Sequence, residues 1–391
     1  MIIFVTRHFS FVYKILILSI FTPLLSSCFH DGNYEPPKSI ILFIGDGMGP
    51  EQRKAAQWYS VGMTGTLNMD RLDYAGESIT YSANNTITDS AAGGTAISTG
   101  IKTNNGVVGM DPSLNSLVTI LETAKSKGMS TGLVTTTQVS HATPAAFASH
   151  VESRNMMTEI ARQLLSTDVD VLLGGGEDEF LPVSEVGRYP EVGERTDNRN
   201  LISESILNGY VYVSNEAEFS LVDVNNIEKL IGLFADEGMV RPFSPTLSSM
   251  TDMAIKILKK NPRGFFLMVE GGQIDWAGHA NDALNNMQDT LGFDAAVKVG
   301  IDYFNTNNNA LIIVTADHET GGMSANLATT GAVDEDGPYY MPDMTPFYVN
   351  WTTTGHTPVN VPVTSSGPVA AALIGTYENT YIYDIMALHI Q

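Results

Sequence analysis

Five runs of this chain are apolar almost without interruption and too short for long helices: "SIILFI" (39–44), "STGLVTT" (130–136), "DVDVLLGG" (168–175), "GFFLMV" (264–269) and "ALIIVT" (310–315). A strand with one wet face alternates polar and apolar residues, whereas one covered on both faces does not. The runs therefore predict a mainly parallel sheet. The segments between them, such as "SLVTILETAKSKG", "NMMTEIARQLLS", "SMTDMAIKILKKN" and "NMQDTLGFDAAVKVGIDYF", carry helical spacing and supply the cover. The expected class is α/β, a central sheet flanked by helices on both faces.

Length, 391 residues, admits one large domain or two ordinary ones, and 43% apolar content against 16% charged supports a sizeable core. Residues 177–247 and 321–356 are rich in Gly, Pro, Asn and Asp and predict surface insertions on one core spanning 39–391. A formal charge of −22 argues against nucleic acid as a specific partner, since phosphate neutralisation needs a basic face. It leaves small anions open, because bound metal reverses a local field.

Residues 1–27 read as an export leader: Arg7 and Lys14 precede "ILILSIFTPLL", an apolar core of signal-peptide length. "LSSC" follows, and its Cys28 is the only cysteine. This resembles a bacterial lipobox, with residues 28–38 as lipid-bearing cysteine and linker, although an ordinary signal peptide with a coincidental cysteine fits too. Either reading exports the chain, to the periplasm or cell envelope, and the first anchors it to a membrane. No disulfide can form within it.

Three of the apolar runs end alike: "IILFIGDGMG" reaches Asp46, "FFLMVEGG" reaches Glu270, and "LIIVTADHETGG" reaches Asp317 and His318. One acid after a strand is more often a turn residue or helix cap. Three, with flanking glycines, predict convergence, because open α/β sheets bind ligands just beyond the carboxyl ends of their strands. Asp275 and His279 lie four apart and share one face of a helical turn, where they can grip an ion. Carboxylate with imidazole suits zinc, and carboxylate with hydroxyl suits magnesium. His356 is another of the few histidines in the folded part, whereas His389, next to the terminus, reads as surface.

"NTITDSAAGGTAISTG" sets Ser90 at the start of a run of small, helix-compatible residues. It is either an N-cap or a nucleophile, the helix dipole favouring its alkoxide. In "SHATPAAFASHVESRN", Thr143 offers a hydroxyl for a hard ion. Arg154 there offers either a surface ion pair or a planar fork for phosphate.

Together, "IGDGMG", "TDSAA", "HATPAAFASHVESR", "LLGGG", "VEGGQIDWAGHA", "TADHETGG" and "TGHT", in that order, resemble the alkaline phosphatase family, metal-dependent phosphomonoesterases with a serine nucleophile. The resemblance implies two zinc ions and one magnesium. Asp275, His279 and His356 match the ligands of the first zinc, and Asp46, Asp317 and His318 those of the second. Asp46, Thr143 and Glu270 match those of the magnesium. Ser90 then attacks phosphorus, Arg154 clamps the phosphoryl oxygens, and water releases phosphate from phosphoserine with net retention. His141 and Trp276 stand where some relatives carry Asp and Lys. They either tune the metal and phosphate sites or merely pack. A short 319–356 segment implies a reduced accessory crown, and the family implies a homodimer. The alternatives are a phosphodiesterase of the same superfamily and an inactive lipoprotein that binds metal or phosphate.

Overall fold

The structure, a computed structural model, describes residues 39–390. The leader, Cys28 and the linker lie outside the described residues. Among those described, no helix is long and apolar enough to cross a membrane.

Eight strands dominate in chain order: β1 (Ser39–Ile44), β2 (Tyr74–Ile79), β3 (Ser130–Gln138), β4 (Val171–Gly175), β5 (Tyr210–Val213), β6 (Lys229–Leu233), β7 (Phe265–Glu270) and β8 (Ala310–Thr315). With Val361–Ser366 and Gly375–Glu378 they form one ten-stranded sheet. Its order is Gly375–Glu378, β2, Val361–Ser366, β8, β1, β7, β3, β4, β6, β5. Only the two pairings of Val361–Ser366 are antiparallel. The expected mainly parallel sheet is therefore present, and the five apolar runs are its centre.

Period-two alternation sorts each central strand onto two cores. Ile40, Leu42 and Ile44 of β1 pack with Phe266 and Met268 of β7 under helices Ser90–Thr99, Ile120–Ser126, Ala142–Ala148 and Met157–Ser166. Ile41 and Phe43 join Phe265, Leu267 and Val269 on the other face, under Leu247–Leu258 and Ala283–Thr306. Both faces are dry, which is why these strands carry no polar alternation.

The 177–247 segment departs from expectation. It is not confined to surface insertion: β5 and β6 within it extend the sheet to its edge. Residues 321–356 instead form a separate three-stranded sheet, in which Ser324–Asn326 and Glu335–Tyr340 flank Pro346–Asn350. Phe347, Val349 and Trp351 pack there with Ala55 and Met287. His389 is also corrected. It is buried, and its Nε2 lies 2.7 Å from the Pro368 carbonyl.

Phe266 is fully buried and stacks on Phe147 at 5.9 Å, joining sheet to helix layer. Phe266→Ala is expected to cost about 3–5 kcal/mol, read from the denaturant midpoint. A loss below about 1 kcal/mol would mean that this contact does not hold the layers together.

Candidate active site

Strand register creates the site. Ile44 of β1 lies beside Glu270 of β7 and Thr315 of β8, so the three strands end level. Asp46, Glu270 and Asp317 leave the sheet at one edge, and all three are fully buried. Gly47 takes φ +69°, and a Cβ on it would sit 2.7 Å from Thr320 Oγ1 and 3.0 Å from Asp275 Oδ1. A glycine is needed there on both counts.

After β7, helix Gln273–His279 carries Asp275 and His279 on one face, with Oδ2 and Nε2 3.3 Å apart. The short strand His356–Thr357 pairs with Glu319–Thr320 and brings His356 Nε2 to 3.6 Å from Asp275 Oδ1. Three groups of donor atoms result, each within 4.8 Å: Asp275 with His279 and His356; Asp46 with Asp275 and His318; and Asp46 with His141 and Glu270. Asp317 adjoins the second group, since its Oδ2 and Asp46 Oδ1 each lie 3.4 Å from His318 Nε2. Thr143 Oγ1 is 3.5 Å from Asp46 Oδ2, beside the third. All eight expected ligands meet here. Two details differ from the expected ligand sets: Asp275 spans two groups, and His141 stands among the donors rather than behind them.

The imidazoles are held by their far nitrogens. His279 Nδ1 donates to the Thr354 carbonyl at 2.5 Å and His356 Nδ1 to that of Thr88 at 2.8 Å. Such bonds fix the tautomer and turn Nε2 inward as a ligand. The two Nε2 atoms then face each other at 3.2 Å, an arrangement a shared cation relieves.

The carboxylates show the same imbalance. Asp46 Oδ1, Asp317 Oδ2 and Glu270 Oε1 are buried without a hydrogen-bond donor. Burial, reinforced by neighbouring carboxylates, pushes Asp317 up to about 8 and Asp46 well above the usual range. Glu270 is pushed up to about 7 by burial, against bonds from Thr135, Thr143 and Thr137. Burial also acts on Asp275, but the His279 bond and the histidine charges outweigh it and hold that carboxyl low. The same bond lifts His279 to about 9. Without added positive charge, Asp46, Glu270 and Asp317 hold protons that ordinary carboxyls would release. The pocket's mixture of carboxylate, hydroxyl and imidazole donors fits divalent cations.

Ser90 opens helix Ser90–Thr99, but the cap is Asp89, whose Oδ1 accepts from Ala92 N at 3.0 Å. The Ser90 hydroxyl is thus free of capping duty, and its Oγ lies 3.2 Å from His318 Nε2. Arg154 Nη1 pairs with Asp89 Oδ2 at 3.3 Å and Nη2 donates to His141 Nε2 at 3.0 Å. The Arg154 side chain remains a quarter exposed. Burial and the Arg154 charge push His141 down to about 3, leaving it a neutral acceptor. Trp276 meets His141 edge-on, with ring centroids 6.1 Å apart.

Sequence reasoning missed the supporting hydroxyls. Thr135 and Thr137, two apart on one face of β3, both donate to Glu270 Oε2. Thr320 donates to Asp275 Oδ1 at 2.5 Å and meets His318 Nδ1 at 3.3 Å. The i, i+2 spacing in "TTTQ" was the available signal.

The alkaline phosphatase family model matches residues 37–344. Alkaline phosphatase 3 of Bacillus subtilis is 40% identical over 75% of this chain and 63% of its own length. The first relatives are thus matched over less than two-thirds of their length. Alkaline phosphatase of Escherichia coli is 33% identical over 90% of this chain and 86% of its own. The structure of alkaline phosphatase from the Antarctic bacterium TAB5 superposes with TM-score 0.78 at 33% identity, covering 91% of this chain and 98% of that one. A histidine-to-aspartate variant of that enzyme carries bound Mg. On the extent of these matches, this chain belongs to the alkaline phosphatase family.

Proposed function

We propose that this chain hydrolyses phosphate monoesters to alcohol and inorganic phosphate through a phosphoserine on Ser90. One observation carries the reading: a serine hydroxyl released from capping its helix meets His318 Nε2, which lies 3.4 Å from Asp46 Oδ1 and from Asp317 Oδ2, two buried carboxylate oxygens without a donor. Two zinc ions, held by Asp275, His279 and His356 and by Asp46, Asp317 and His318, and one magnesium, held by Asp46, Thr143 and Glu270, complete the proposed site. The Mg in the TAB5 variant supports the magnesium assignment. Bound there, the cations would supply the charge that favours a serine alkoxide and neutralises phosphoryl oxygens.

The chain's own groups account for the rest. Ser90 Oγ forms the bond to phosphorus as the ester P–O bond breaks and the alcohol departs. Its place on the first helical turn favours both the alkoxide and the phosphate it then carries. Arg154, tethered by Asp89 and His141, presents its remaining N–H groups to non-bridging oxygens. Water then cleaves the phosphoserine P–O bond and regenerates the hydroxyl. His141 and Trp276 set the orientation of Arg154 through the His141 contact. The leader and "LSSC" extend the proposal to export and lipid anchoring through Cys28, and family membership extends it to a homodimer.

Ser90→Ala is expected to retain fold and metals while turnover of p-nitrophenyl phosphate falls on the order of 10³-fold or more. Near-normal rates, or a strong preference for the bis-ester over the monoester, would overturn the proposal. Arg154→Ala is expected to weaken competitive inhibition by inorganic phosphate about tenfold or more, with the metal content unchanged.

Metal removal has a signed pH signature. Glu270 and Asp317 hold protons in the folded metal-free chain up to about 7 and about 8, well above ordinary carboxyl values. Their stabilising protons are fully bound at low pH and lost as pH rises through those values. The chelated chain should melt lower at pH 9 than at pH 6, and zinc with magnesium should restore it at pH 9. Equal melting of the chelated chain at both pH values would contradict the electrostatic account.

A further inference from the structure

The amino edge of the central strands, opposite the pocket, carries an imbalance of charge. Among the described residues, the Lys and Arg side chains with no carboxylate oxygen within 4.0 Å are Arg71, Lys127, Lys259, Lys260 and Arg263. All but Arg71 gather on this edge, in a chain whose formal charge is −22. Lys127 and Lys259 are the C-caps of helices Ile120–Ser126 and Leu247–Leu258, Lys260 follows, and Arg263 stands just before β7. Arg263 Nη1 donates to the Lys127 carbonyl at 3.1 Å and Asn261 Nδ2 to that of Gly128 at 2.8 Å, so the turns leading into β3 and β7 are bonded together. Lys260 Nζ is fixed by the carbonyls of Val224, at 2.6 Å, and Ile227, which leave its charge in place. All four bases are exposed.

Helix ends favour cations, which accounts for Lys127 and Lys259 singly but not for the gathering. Nearby acids do not cancel it. Asp168 and Asp170 pair with Lys125 and Lys229, and Asp252 with Lys256. Asp223 and Glu228 alone stay without a cationic partner there among the described residues. Neutral amides fill the rest: Asn225, Asn226 and Asn261 line one hollow with Lys260, and Asn307, Asn308 and Asn309 line its neighbour with Lys259.

The chain enters its fold at this same edge. Ser39 begins β1 level with Phe265 of β7 and Ala310 of β8, and it shares the second hollow with Lys259. Residues 28–38, which join Cys28 to it, span at most about 40 Å, and their charges, Asp31, Glu35 and Lys38, nearly cancel. Whatever holds Cys28 therefore keeps the basic edge within reach. We infer that this edge docks on an anionic lipid surface, that of the bilayer which the Cys28 lipid enters; the inference rests on the lipid-anchor reading of "LSSC". Basic side chains feel an anionic leaflet within about one Debye length, ~8 Å at physiological salt. The six-residue strands β1, β7 and β8 separate the two edges by roughly 20 Å. Carboxylates around the Ser90 pocket are thus screened from the bilayer, and the four bases are not. Docked this way, the pocket's edge faces the aqueous phase and dissolved substrate.

Vesicle binding by the mature Cys28→Ser chain, which carries no lipid, isolates the edge from the anchor. Vesicles of equal parts phosphatidylglycerol and phosphatidylcholine, in about 20 mM salt, should sediment the chain. Phosphatidylcholine alone should not, nor should the mixed vesicles in about 0.5 M salt. Lys127→Gln with Lys259→Gln, at exposed positions whose ammonium groups make no hydrogen bond among the described residues, should weaken binding about tenfold or more. Lys54→Gln with Arg188→Gln removes as much charge from the other end of the strands and should leave binding unchanged. Absence of binding to the anionic vesicles, or equal binding by the two double variants, would overturn the docking surface. Retention of the Cys28→Ser chain on cell membranes after a high-salt wash would instead contradict the lipid reading, whatever the vesicles show.

Discussion

Three neighbouring parallel strands that stop at the same level leave their next residues no choice of neighbourhood. Because Ile44, Glu270 and Thr315 are in register, the acids at or just beyond those strand ends are delivered to one dry edge of the sheet. Like charges brought together in a low-dielectric pocket repel by several kcal/mol at short range, even at an effective dielectric near 20. The sheet therefore imposes an electrostatic debt that only protons or cations can settle. The fold's covered, mainly parallel sheet is the source of both the precision and the cost.

The groups around the acids decide which solution prevails. The hydroxyls of Thr135 and Thr137 satisfy one oxygen of Glu270 and leave the other undonated. Backbone carbonyls of Thr354 and Thr88 take the outer N–H of His279 and His356. Each support holds one side of a ligand and leaves the other facing inward. A pocket meant to be stabilised by protons alone would have no use for oriented Nε2 lone pairs, which accept cations as readily.

Much of this was legible in the chain, and for a physical reason. Central strands and their terminal acids announce themselves because double burial removes polar residues until the strand ends. Strands toward the two margins of the sheet do not. β2 alternates exposed and half-buried residues, and β5 is half-buried at Val211 and Tyr212, so neither shows a continuous run. β5 was accordingly lost within a segment whose composition reads as loop, and β6, though buried from Leu230 to Leu233, was lost with it because its run is so short. Supporting threonines were invisible for another reason: threonine is ordinary in strands, and only the position of Glu270 gives Thr135 and Thr137 meaning. His389 shows the limit of reading burial from chain position, since its helix, Thr380–His389, packs back onto the core.

The placement of Ser90 depends on residues that carry no chemistry of their own. Helix Ser90–Thr99 is buried along its whole length, and its sequence "SAAGGTAIST" is mostly small side chains. A Cβ on Gly93 would lie 3.1 Å from the Asp317 carbonyl oxygen and Cβ, and one on Gly94 would lie 3.0 Å from Ala146 Cβ. The helix is therefore pressed by its backbone against the turn that carries Asp317 and His318 on one side and against helix Ala142–Ala148 on the other. Glycine in mid-helix normally costs about 1 kcal/mol relative to alanine. Here that cost lets the first turn approach closely enough to set Ser90 Oγ beside His318. The serine is positioned by the absence of side chains behind it, as much as by the acids and imidazoles in front.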